Sequence, residues 1–306
     1  MKKKIKIGVP RGLLYYRRYI FWKSYFEKIG CNVVLSSPTS KDIVNEGNSL
    51  SVDESCLPFK IYLGHISSII DKCDYVLIPR ICNYGKKKRA CIRFNGVYDV
   101  VSNLFGKDKI LDYNIDYLKG KFFFTEMIRI GFKFNKNIFK LLYSYFTSIR
   151  KEREYNYMVI RKNMKALRSN KLKILIVSHP YIIYDNYLGN DIINYLKKED
   201  IEIVYSDRVD KKESILYAEE FSNTLYFLYS KEIIGTSFMY KNAVDGIIFL
   251  SSFPCGPDSI VNELAIRKLD NIPIINIILD ESTATSGLYT RLESFIDIVK
   301  VRNGNE

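Results

Sequence analysis

The chain is predicted to be α/β, with two parallel-sheet domains facing a cleft and a helical region connecting them. Three observations predict this. Two short apolar runs, KIKIGV at 4–9 and KILIV at 173–177, each open an alternation of strand-like and helix-like segments, the pattern of a parallel sheet with crossover helices. Between the two alternations, residues 118–170 are aromatic, charged and helical in period and contain no proline. The length of 306 residues fits two domains better than one. The expected boundaries are 1–117 for the first α/β domain, 118–170 for the helical connector and 171–306 for the second α/β domain.

In chain order, KIKIGV reads as a buried strand, PRG as a turn, 19–29 as an amphipathic helix and NVVL at 32–35 as a second strand. DESCLP at 53–58 precedes a helical pattern over 59–70, and Pro58 suits its first turn, where a missing N–H costs nothing. YVLI at 75–78 reads as a strand ending at Pro79 and Arg80. A basic loop with Cys82 and Cys91 follows, then a helix near 97–104 and a strand near 109–115. In the second half, KILIV ends at His179-Pro180-Tyr181. Helices are expected at 188–198, 213–240 (with a break near Ser222), 258–269 and 287–299, and strands at 201–204, 246–250 and 274–279.

Composition excludes several function classes. The net charge of +13 raises nucleic-acid binding. However, the lysines are spread along the chain, dense runs occur only at 2–4 and 86–89, and no RNA- or DNA-binding module is recognisable, so specific nucleic-acid binding is disfavoured. An acidic protein partner or a phosphorylated ligand suits the charge better. Tyr and Phe are abundant, at 24 and 18 residues, and this reads as compositional bias. No G-x-G-x-x-G or G-x-x-x-x-G-K-[ST] occurs, which argues against a dinucleotide fingerprint and a P-loop. With no signal-like segment and no apolar run of membrane-spanning length, a cytoplasmic protein is expected. There the six cysteines are expected as free thiols or metal ligands rather than disulfides, and no C-x-x-C pair suggests a zinc ribbon or a redox motif.

The cysteines are the residues around which chemistry is expected. In DGIIFLSSFPCGPDS (245–259) a buried-looking strand ends just before Cys255 and a helix start, at the sheet edge where α/β proteins bind ligands. Gly256 would permit close approach, and Asp258 or Ser259 would start the helix. Cys56 repeats this device. A helix N-terminus favours a thiolate, and it equally suits an anionic iron–sulfur cluster. Cys91 is expected in a loop after a strand. Three such cysteines could share one cluster, or each could be a small buried residue. Cys31 and Cys73 read as core, and Cys82 as a possible spare, fourth ligand.

DESCLP, the loop ending in C-x-x-F-x-G (91–96), HPYIIYD, FPCGPDS and the tail ILDESTATSGLYTRLESF together resemble the 2-hydroxyacyl-CoA dehydratase superfamily. More narrowly they resemble its stand-alone DUF2229 group, related to acyl-CoA dehydratase activases. The resemblance implies two Rossmann-like domains and a [4Fe-4S] cluster in their cleft. Its ligands carry over to Cys56, Cys91 and Cys255. It further implies low-potential one-electron transfer in a dehydratase component, an ATP-dependent activator with an actin-like ATPase domain as partner, and a second dehydratase-like subunit or an acyl-CoA as further partners. The alternative is a scaffold or regulatory accessory that keeps the fold without the catalysis. The tail departs from the family pattern, since Ser282 stands where a histidine is usual and TATSG replaces an acidic segment. The usual Cys-Pro is Cys91-Ile92, and FGCGPD is FPCGPD.

Weaker candidates complete the reading. His179, at a strand end, could act as a general acid or hydrogen-bond donor in the cleft, or serve as a turn residue packed on Pro180 and Tyr181. Glu281 and Arg291 could approach the cleft. His65 reads as a packing or surface residue. Asp53 and Glu54 beside Cys56 could be a catalytic pair, but they are expected rather to cap the following helix and complement its dipole. The run at 86–89 could meet a CoA phosphate or an acidic partner, or be a solvated loop.

Overall fold

The protein is described by a computed structural model covering residues 4–281 and 285–304. Residues 282–284, where the altered tail begins, lie outside the described residues. The chain divides into two units, Met1–Tyr157 and Met158–Glu306.

The first unit holds β1 (Lys6–Val9), α1 (Tyr15–Ile29), β2 (Asn32–Leu35), α2 (Lys41–Ser49), α3 (Leu57–Ile70), β3 (Tyr75–Asn83), α4 (Ile92–Phe105) and β4 (Ile110–Asp116). A short 3-10 turn (Tyr117–Lys119) leads to α5 (Phe123–Phe134) and α6 (Ile138–Leu167), whose residues from 158 onward belong to the second unit. The four strands are all parallel in the order β2-β1-β3-β4. Parallel strands need covered faces, and this sheet accordingly buries Ile7, Val9, Val76, Ile78 and Leu111.

The second unit holds β5 (Lys173–Val177), α7 (Pro180–Ile183), α8 (Asn190–Lys198), β6 (Glu202–Tyr205), α9 (Lys211–Phe221), α10 (Leu228–Tyr240), β7 (Gly246–Ser252), α11 (Gly256–Lys268), β8 (Ile274–Leu279) and α12 (Thr285–Arg302). Its sheet is again all parallel, in the order β6-β5-β7-β8. The two units are thus Rossmann-like, as the alternation in the sequence predicts, and they share one strand order.

Three local features differ from expectation, each for a physical reason. The polar stretch 41–49 forms α2, started by Ser40, whose hydroxyl accepts from the Ile43 N–H at 3.5 Å. β3 runs past Pro79 to Asn83. β1 pairs with it only as far as Val76, so beyond that point one side of β3 is open and can accommodate a residue without an N–H. Cys91 is the N-cap of α4, which begins at Ile92 rather than near 97.

The aromatic richness serves packing in the first unit. Phe21 stacks on Tyr25 at 5.6 Å and meets Phe123 and Tyr145 edge-on at 4.9 and 5.4 Å. These contacts join α1 to α5 and α6, and the Tyr25 hydroxyl donates to the Met127 carbonyl at 2.7 Å. Arg18 closes the joint, pairing with buried Glu152 at 2.7 Å while lying over the Phe123 ring at 4.6 Å.

Helices α2 and α3 touch backbone to backbone. A Cβ on Gly64 would lie 2.0 Å from the Ile43 carbonyl oxygen, and one on Gly47 would lie 2.0 Å from that of Lys60. Neither oxygen can move without bending its helix. Gly64→Ala is therefore expected to destabilise the first unit by about 1–3 kcal/mol, the usual cost of overpacking. The check is urea unfolding followed by fluorescence of Trp22, the sole tryptophan, which is buried in this unit.

His65 on α3 is fully buried and bonded through Nε2 to the Thr39 hydroxyl at 3.0 Å. Burial first, and then the Arg11 charge, push its pKa down to about 3. The folded value lies below the ordinary 6.5, so the unfolded chain binds the proton more readily. The stability tied to neutral His65 is fully present above pH ~6.5 and falls by about 1.4 kcal/mol per unit as pH drops from there toward 3. Urea midpoints at pH 7.5 and 5 should therefore diverge for the wild type and converge in His65→Leu.

Candidate functional site

In the second unit, β5 and β7 lie side by side while their following strands, β6 and β8, lie to opposite sides. The crevice beyond the carboxyl ends of β5 and β7 is thus a topological switch point, the position where open α/β sheets take their ligands. The loop after β5 carries Ser178 and then His179, the N-cap of α7. The loop after β7 carries Cys255, the N-cap of α11, with Pro257 in the helix's first turn. Asp258 is the third helical residue, which brings its side chain back toward the cap.

Asp258 is the centre of the cluster. It is 4% exposed. Its carboxylate accepts from the Cys255 thiol at 3.2 Å and from the Ser230 hydroxyl of α10 at 3.2 Å, and it pairs with His179 Nε2 at 3.1 Å. Burial pushes the carboxyl pKa up. The His179 charge and hydrogen bond, with the Cys255 and Ser230 bonds, outweigh it and hold the pKa below the usual aspartate value. The imidazole stacks on Tyr181 at 4.8 Å between centroids. Two buried polar atoms here have no hydrogen-bond partner, His179 Nδ1 and Ser178 Oγ.

The order of the groups decides the chemistry. In a nucleophilic triad the imidazole stands between nucleophile and carboxylate and takes the proton. Here the carboxylate stands between thiol and imidazole. An ionised acceptor in direct contact with S–H favours the protonated thiol and opposes the helix N-terminus, which favours thiolate. Cys255 is thus a half-buried thiol whose sulfur donates to a carboxylate. His179 packs on Tyr181 and also pairs with a carboxylate. Gly256 is not required by close approach, because a Cβ there would meet nothing within 4 Å.

In the first unit, Cys56 and Cys91 are the N-caps of α3 and α4. Arg93 ties these helix starts together: its guanidinium donates to the Glu54 carbonyl at 3.1 Å and lies over the Phe59 ring at 5.2 Å. Asp53 and Glu54 do not cap α3, whose N-cap Cys56 has no side-chain capping bond. The Cys82 thiol donates to Asn95 Oδ1 at 2.9 Å. Cys31 and Cys73 are core, and burial raises both thiols, Cys31 to about 11. Lys86, Lys87, Lys88 and Arg89 are exposed. Glu281 is exposed, and Arg291 donates to the Asn276 carbonyl at 2.7 Å.

Sequence reading named Cys255 and His179 but missed what joins them. Asp258 appeared only as a helix starter, and Ser230 did not appear at all. The legible signal was the C-x-x-D spacing at a helix start, which places cap and third residue in contact. Nothing in the sequence placed Ser230 there. Asp258→Asn should remove the charged acceptor to which the thiol donates and speed iodoacetamide labelling of Cys255 at pH 7 several-fold. Peptide mass spectrometry against time reads this rate. Slower labelling in the variant would instead make the carboxylate the thiol's base.

Comparison with known proteins gives one family. The family described as "CoA enzyme activase uncharacterised domain (DUF2229)" matches residues 6–209, which include Cys56, Cys91 and His179 but end before Cys255 and Asp258. No curated protein matches. Among solved structures, the crystal structure of ZnuA aligns over 97% of this chain and 99% of that one, at 11% identity and a TM-score of 0.29, too low a likeness to support an argument. No helix among the described residues is long and apolar enough to cross a membrane.

These findings correct the iron–sulfur dehydratase reading. The matched family is an activase domain rather than a dehydratase component. Among the described residues, no group of three or more His, Cys, Asp or Glu side chains is placed to hold a metal ion. The Cys255 sulfur is engaged with Asp258 instead. No step of low-potential electron transfer is derived from this chain. With its match spanning 6–209 of 306 residues, the chain belongs to the CoA enzyme activase uncharacterised domain family (DUF2229).

Proposed function

We propose that this chain is a component of a CoA-enzyme activation system, binding a CoA enzyme directly and working beside an ATP-hydrolysing activator. The observation that carries this reading is the family match, which covers the first unit from β1 onward and the second as far as the end of β6. The sequence has neither P-loop nor dinucleotide fingerprint, which is consistent with nucleotide chemistry residing on the partner. The charge of +13 favours an acidic protein partner and fast encounter with it at low salt.

The test is reconstitution with purified proteins. The chain, a CoA enzyme and an ATP-dependent activator from the same genome are combined, and binding is measured by biolayer interferometry. The onset of CoA-enzyme activity after ATP addition is followed in parallel. Binding at micromolar affinity or tighter, about −8 kcal/mol, is expected, together with faster onset when the chain is present. Absence of both binding and acceleration overturns the reading.

A further inference from the structure

One face of the first unit is built differently from the rest of the surface. On α6, Phe139, Tyr143 and Phe146 follow at the spacing of a single helix face and are 79%, 66% and 58% exposed. Phe124, at the start of α5, joins them, its ring 6.1 Å from that of Phe146. Exposed aromatic rings in such a row are not the ordinary scatter of surface apolar residues.

The rings are also held in place. Tyr145, mostly buried, meets Phe124 at 4.9 Å and Phe146 at 5.5 Å, and it packs in turn on Phe21 in the core. Tyr143 lies under the Lys28 ammonium, 5.8 Å from its ring centre. Anchored aromatic side chains lose little entropy on binding, which is why such rings dominate the energetics of protein interfaces.

Along the segment that carries the row the exposed charges are of one sign, while Glu27, beside Lys28 on α1, is exposed as well. Between 117 and 151 every exposed charged side chain is a lysine or an arginine, and the one acidic residue in the interval, Glu126, is buried. Glu126 is paired with Arg129 at 2.8 Å, and Arg150 with Glu154 at 2.8 Å. The exposed lysines of the same segment include Lys121, Lys136 and Lys140. The acids just outside the interval, Asp116 and Glu152, are buried as well.

We propose that this aromatic row with its lysine rim is the surface through which the chain docks on an acidic patch of the CoA enzyme. The proposal rests on the function proposed above and adds the surface. The apolar centre would enter a groove on the partner, and the lysines would meet carboxylates around it. Fixed, core-anchored rings suit a shaped protein groove better than a fluid lipid surface. The same charges would also attract an anionic membrane, and the test separates the two.

The experiment compares the full-length wild type with two variants. One is Phe139→Ser/Tyr143→Ser/Phe146→Ser, which changes only exposed side chains; the other is Lys121→Glu/Lys136→Glu/Lys140→Glu. Leu216→Ser, an exposed apolar site on the second unit, is the control. Circular dichroism and melting confirm folding. Binding is measured to the CoA enzyme at two salt concentrations, and to vesicles containing 30% phosphatidylserine. The aromatic variant should bind the enzyme at least ~30-fold more weakly. The charge variant should bind about tenfold more weakly, with a flatter salt dependence. The control should match the wild type. If the wild type binds and both variants bind within twofold of it, the surface is overturned while the proposed function stands. Binding to vesicles but not to the enzyme overturns the protein partner in favour of a membrane. Binding to neither overturns both this surface and the direct contact proposed above.

Discussion

Parallel strand pairing is the constraint on which the rest of the structure depends. Two parallel neighbours cannot be joined by a tight turn, so the chain must leave each strand at its carboxyl end and return through a helix. In both units the first and third strands are central and their successors lie on opposite sides. The loops leaving those central strands therefore flank a crevice, and helices begin beside it. This is why Cys255 and His179, 76 positions apart in the sequence, meet on one carboxylate.

The same constraint loads chemistry onto helix caps. Cys56, Cys91, His179 and Cys255 are all N-caps, and none makes a side-chain capping bond. Ser, Thr, Asp or Asn in these places would each add about 1 kcal/mol, as Ser40 and Asp210 do where they cap α2 and α9. Leu14, Gly189 and Phe227, which start α1, α8 and α10, make no such side-chain bond either, so it is the residue types and not the missing bonds that set the four positions apart. For three of these positions the helix start was readable in advance from proline following a cysteine or histidine. For Cys91 it was not, because Ile92 follows it and the helix start carries no proline.

The fold was legible wherever a short apolar run ended at Gly, Pro or a polar cluster. Those runs fall within or beside all eight strands and fix the class. Legibility failed where a local pattern was outvoted. Residues 41–49, to which the sequence assigns no element, form a helix whose Gly47 makes a backbone contact with α3. Pro79 looks like the end of a strand, but partial pairing with β1 leaves room for it within β3. The site was legible as separate residues only. Its joining group, Asp258, has the local role of a helix-start acid, and only the packing of α10 against α11 brings Ser230 onto it.

Cys255 shows how a neighbour can oppose a qualitative expectation. A helix N-terminus contributes about 0.3–1 kcal/mol to a nearby anion, which argues for a thiolate. The contact with Asp258 works the other way, because a carboxylate accepts from the sulfur only while the sulfur keeps its proton. Asp258 lies out of solvent with its charge held by His179, so the acceptor is fixed in place beside the thiol. A cysteine at a helix cap is therefore not by itself a reactive thiol or an available metal ligand. Its neighbour three residues on engages the sulfur, and that neighbour in turn depends on a histidine from a different strand.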